Sequence, residues 1–151
     1  ALQNSVTQAW PEAEEEEREA LRKLVDWNDG DFKHHLDRYK YPDRYEGAVS
    51  LEHRQQAEAF LQALEERLSV KPFLHGEQFG RTDAAILPFI RQFANSGREW
   101  FDSAPYPKVQ AWLEAGLESP LFLRVMKKFR RWEDSSLGVI FPVREEGAEG
   151  A

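Results

Sequence analysis

Leu21, Leu24 and Val25 fall on one side of a helix that the spacing places from Glu12 to Trp27. Pro11 suits its N1 position, and the acidic run Glu14 to Glu17 sits in the first turns, where the helix dipole favours negative charge. Glu19 and Lys23 add a favourably oriented i,i+4 pair, so the glutamate run reads as a solvated helix start. Asn28-Asp29-Gly30 is expected to end this helix, and a short helical stretch, "DFKHHLDRYKY", then stops at Pro42. From Leu51 to Leu68, Ala57, Phe60, Leu61, Leu64 and Leu68 repeat at helical spacing behind Ser50 as N-cap.

After a break at Lys71-Pro72 and the turn in "FLHGEQ", residues 81–94 form an almost wholly apolar helix. Pro105 and Pro107 begin the next, with Val109, Trp112, Leu113 and Leu117 inside. Ser119 caps the last, with Pro120 at N1 and a stripe of Leu121, Phe122, Val125, Met126 and Phe129. No stretch alternates as a strand would, and there is no internal repeat. The pattern predicts an all-α domain, a bundle of about five or six helices over residues 1–133, followed by a frayed tail, 134–151.

A chain of 151 residues suffices for one substantial core, and 41% hydrophobic residues with five tryptophans and ten phenylalanines supply it. A net charge of −7 disfavours nucleic acid and anionic membranes, both of which attract positive fields. The cation-rich "KKFRRW", residues 127–132, has aromatics interleaved as in single-strand binders, but a helix C-terminus accounts for its charge. Without cysteine there is no disulfide, thiolate metal site or cysteine nucleophile. No apolar span is long enough for a membrane, and no secretory leader pattern opens the chain, so a cytoplasmic location is the expectation.

The segment "FGRTDAAILPFIRQFA" carries the most specific signal. With a helix from residue 81, Gly80 takes N-cap and Asp83 takes N3, where its carboxylate can accept from the exposed amides of the first turn. Phe79 at N′ can staple onto Ala84. The run from Ala84 to Ala94 is apolar nearly all round, which predicts the central helix, buried on most sides. Pro88 inside it removes the bond to the Ala84 carbonyl and predicts a kink. On capping alone, Asp83→Ala is expected to cost ~1 to 2 kcal/mol.

The order "FLHGEQFGRTDAAILPFIRQF" resembles the entry to the central helix of the C-terminal, all-helical domain of glutathione S-transferases. "LEHRQQAEAFLQALEERL" is similar to that family's preceding helix and "YPKVQAWLEAGLESPLFLRVMKK" to its next two, so the resemblance spans roughly residues 50–132. It departs at Gly80, where the family commonly has Ser or Thr. The resemblance implies a structural role for Gly80, Asp83 and Pro88. It also implies that glutathione, as co-substrate, and the residue acting on its sulfur belong to a thioredoxin-like N-terminal domain that this chain lacks. The first helix is then truncated, and the parent protein is expected to form a homodimer. No catalytic residue and no cofactor is assigned to this chain, whose expected contribution is one wall of a pocket for an electrophile. The alternative is a noncatalytic interaction module of the same fold.

Candidate surface residues remain. In "DRYKYPDRY" three tyrosines alternate with three basic residues, and Arg38, Tyr39 and Tyr41 form a possible ligand or partner surface. The simpler expectation is a core-edge loop with Arg38 and Arg44 paired to local aspartates. Arg91, on an apolar helix, calls for an ion pair if buried. A metal site is not expected: His34 and His35 diverge around a helix, and His53 and His75 lie on other elements.

Overall fold

The computed structural model describes residues 14–126. α1 (Glu15–Trp27) buries Leu21 and Leu24 and keeps Glu15, Glu16 and Glu17 in its first turn. The chain does not leave the helix at Asn28-Asp29-Gly30. A π-helical turn over Asn28–Phe32 joins α1 to α2 (Lys33–Lys40), with the Lys33 amide donating to the Asn28 carbonyl. The cause is Phe32, fully buried against Phe60 and Phe93 with ring centroids 4.7 and 5.5 Å away. Burying a phenylalanine is worth about 1.5–3 kcal/mol, whereas glycine inside a helix costs about 1 kcal/mol, so the buried ring outweighs the stop signal.

α3 (Ser50–Leu68) buries Ala57, Phe60, Leu61, Leu64 and Leu68 as the spacing predicts. Its N-cap is Val49 rather than Ser50. The Ser50 hydroxyl instead donates to the Tyr39 carbonyl at 2.9 Å, tying the end of α2 to the start of α3. α4 (Arg81–Ser96) is followed by an unforeseen short helix, α5 (Arg98–Ser103), then by α6 (Pro107–Glu118) and α7 (Pro120–Val125). Pro107 is at N1 of α6, and Pro105 lies in the connection before it. Ser119 caps α7, accepting from the Phe122 amide at 3.2 Å. Counting the continuous run from α1 to α2 once, the described residues form six helices and no strand. None is long and apolar enough to cross a membrane. The helix start at Glu12 with Pro11, the position of Phe129, the "KKFRRW" segment, the domain limit at 133 and the tail lie outside the described residues.

α4 is central, with Ile86, Leu87, Ile90, Phe93 and Ala94 buried, but the described residues leave one flank open. Ala84, Ala85 and Phe89 are half-buried and Pro88 is exposed, so the cover expected on most sides is interrupted along this one flank. The helix runs on through Pro88 to Ser96. α6 crosses α4 closely at Gly116, where an added Cβ would lie 2.6 Å from Leu87 Cδ1. Its N-terminus has no side-chain cap of its own; Glu65 of α3 accepts from the Lys108 and Val109 amides, each at 2.9 Å. Tyr106, the N-cap residue, donates its hydroxyl to Glu58 at 2.9 Å, and burial together with that carboxylate pushes its phenol up to about 12.

Candidate functional site

Asp83 is fully buried at the start of α4. Oδ2 accepts from the Gly80 amide at 2.9 Å and the His75 amide at 3.2 Å; Oδ1 accepts from the Leu74 amide and the Trp112 indole N–H, both at 2.7 Å. The carboxylate therefore joins the loop before α4, the first turn of α4 and the middle of α6. A carboxylate has about four lone-pair sites. All are engaged, which leaves no acceptor to take a proton from a substrate.

The same loop explains Gly80. A Cβ there would lie 2.8 Å from His75 Cδ2 and closer still to its Cβ and Cγ. A serine cap, favourable in isolation by a few tenths of a kcal/mol, would have to displace the His75 side chain. Gly80→Ser is accordingly expected to destabilise the protein by about 1 to 3 kcal/mol, the usual cost of overpacking. Urea unfolding of the two proteins measures it.

Along the open flank of α4 lies a groove of about 210 Å³, lined by Phe79, Ala84, Leu87, Pro88, Arg91, Leu121, Phe122, Val125 and Met126. α7 forms its far wall. The stripe expected to face the core is instead largely exposed: Leu121 is 43%, Val125 71% and Met126 44% accessible. Apolar residues at helical spacing mark a face without saying whether anything covers it. Among the described residues, half-buried Arg91 is the one charged group of the lining, with its guanidinium 5.6 Å from the Phe122 ring centroid. Among the described residues no carboxylate lies within ion-pair distance of it, so the expected pair is replaced by a cation–π contact.

Arg38, Tyr39 and Tyr41 stand elsewhere, at the end of α2. Here too cations meet rings: Arg38 lies 4.1 Å from the Tyr45 centroid, Arg44 3.9 Å and Lys40 4.9 Å from that of Tyr41. The aspartate pairing expected for Arg38 and Arg44 is not found among the described residues; Asp37 instead accepts from Lys33 at 2.8 Å. Tyr39 is half-buried and packs on Phe93 at 5.2 Å. Arg91 and Pro88 thus share a site, and Arg38, Tyr39 and Tyr41 do not join it. Phe79, Leu121, Phe122, Val125 and Met126, which complete the groove, were not singled out by the sequence as a site. His34 and His35, adjacent and divergent around α2, nevertheless both meet His53 of α3.

The glutathione S-transferase C-terminal domain family matches residues 11–115. No curated protein sequence matches the chain. Among solved structures, a glutathione S-transferase from Rhodospirillum rubrum F11 superposes with a TM-score of 0.60 at 18% identity, covering 91% of this chain and 61% of that one. A glutathione transferase from Pseudomonas putida, with one glutathione disulfide bound per subunit, gives 0.63 at 16% identity, covering 76% and 53%. A glutathione transferase family member from Pseudomonas fluorescens Pf-5, with two glutathione bound, gives 0.63 at 19% identity, covering 78% and 55%. At these identities the likeness concerns the fold, and the chain spans less than two thirds of each of these structures.

Proposed function

Because the chain belongs to the glutathione S-transferase C-terminal domain family, we propose that it is the helical, co-substrate-side half of an enzyme that conjugates or reduces small electrophiles with glutathione. The observation that carries this reading is the apolar groove between α4 and α7, with Arg91 as its one cation among the described residues. A concave apolar surface with one placed charge suits a small, weakly polar molecule bearing an electron-rich or anionic group. As the family membership implies, activation of the glutathione sulfur is assigned to a thioredoxin-like half preceding this one. The joined protein is proposed to act as a cytoplasmic homodimer.

A second reading, a noncatalytic interaction module, is favoured by the same exposed residues, since a broad uncovered apolar face also serves association. Retention on immobilised glutathione followed by turnover with a panel of electrophiles separates the two. The chain joined to its glutathione-binding half is expected to be retained and to turn over, and Arg91→Ala is expected to raise KM for the electrophile by about 10-fold, the loss of one charge-assisted contact. Specific retention of this chain alone would overturn the division of labour. A joined protein that turned over no electrophile but assembled stably with another protein would establish the module.

A further inference from the structure

We propose that His34, His35 and His53 form a binding site for a divalent zinc-class cation on the seam between α2 and α3. One nitrogen from each ring can be chosen so that all three lie within 4.8 Å of one another. The ring centroids form a triangle with sides of 5.0, 5.1 and 6.0 Å. Three imidazoles on a tetrahedral zinc, with Zn–N near 2.05 Å, place their centroids about 5 Å apart, so the observed triangle needs one side shortened by about 1 Å. The Nδ1 atoms of His35 and His53 are 2.8 Å apart, sharing one proton as a hydrogen bond. A cation would displace that proton and spread the two nitrogens to about 3.3 Å.

The arrangement follows from the helix seam. His34 and His35 diverge by about 100° around α2, and their rings flank the line along which α3 lies. His53, in the first turn of α3, completes the triangle, and the bond from the Ser50 hydroxyl to the Tyr39 carbonyl fixes that turn against α2. His35 directs Nδ1 at His53 and turns Nε2 toward Asp31, 3.7 Å away. At 3.7 Å the carboxylate is beyond direct hydrogen-bond distance and acts on that nitrogen through its charge.

Burial and the neighbouring cations hold His35 and His53 below the usual imidazole range, against the pull of Asp31 on one and Glu52 on the other. Arg38 is the nearby charge opposing a cation, and it is drawn aside, over the Tyr45 ring and onto the His34 carbonyl at 3.1 Å. His34 is exposed, so the fourth position of the metal opens to solvent and can hold water. Among the described residues no other group of three histidine or carboxylate side chains has this spacing.

The test is a titration of the untagged chain with cobalt(II), read by its visible absorption, followed by displacement with zinc. Saturable binding of one ion with the strong bands of a tetrahedral centre is expected. His34→Gln and His53→Gln should each weaken it at least ~10-fold, and Asp31→Asn by ~10-fold through loss of the outer carboxylate. His34 is exposed, so its replacement leaves folding unchanged by circular dichroism. Failure to saturate below about 1 mM cobalt, or binding indifferent to both histidine replacements, would overturn the proposal.

Discussion

Asp83→Asn is expected to destabilise the fold by about 2 to 4 kcal/mol, although asparagine has nearly the same shape and is ordinarily accepted at helix starts. The substitution turns one carboxylate oxygen into an NH2 group. If that group stands at Oδ1 it faces the Leu74 amide and the Trp112 indole; at Oδ2 it faces the Gly80 and His75 amides. Either orientation sets donors against donors in a fully buried place, and each stranded buried donor costs about 1–3 kcal/mol. Asp83→Ala removes all four bonds and is expected to cost about 3 to 5 kcal/mol. That exceeds the ~1 to 2 kcal/mol expected from capping alone, because capping counts only the helix's own amides. Urea melts followed by tryptophan fluorescence measure both, and Trp112 itself should report the loss. An asparagine variant as stable as the parent would reduce Asp83 to an ordinary cap.

Phe93→Ala is expected to cost about 3 to 5 kcal/mol, whereas Phe89→Ala, four residues earlier on the half-buried flank, should cost under about 2 kcal/mol. Phe93 is 1% exposed and meets Phe32 at 5.5 Å, Tyr39 at 5.2 Å and Trp100 at 5.9 Å, so it joins α4 to the π turn, α2 and α5 at once. Truncation leaves a cavity that these rings, held by their own helices, fill only partly. Phe93→Leu, which keeps most of the volume, should recover about half of the loss. Thermal denaturation of the three variants at equal concentration orders them.

How far the sequence reveals this molecule depends on the range of the interaction concerned. α3 and the position of Gly80 and Asp83 at the head of α4 follow from periodicity and end signals acting within a few residues. Where the deciding partner is remote, local signals mislead. Gly30 signals a stop that Phe32 overrides by burying against Phe60 and Phe93. Ser50 has the chemistry of a cap and spends its proton on Tyr39. Trp112 lies 29 residues from the carboxylate that receives it, and no spacing rule announces that bond. The groove was illegible for a different reason: the stripe on α7 looks like any core-facing stripe, and only the assembled fold shows that the described residues leave it open. The histidines were separated by counting along the chain and are joined by the α2–α3 seam.

Glu65 completes the start of α6 from a position 43 residues upstream of Lys108. A helix whose opening amides are satisfied by another helix has little reason to persist alone, since a short segment barely offsets its nucleation cost in water. α3 and α6 are then coupled in time as well as in space. When α3 loosens, α6 is expected to lose its first turn, and the pair to open as one cooperative unit.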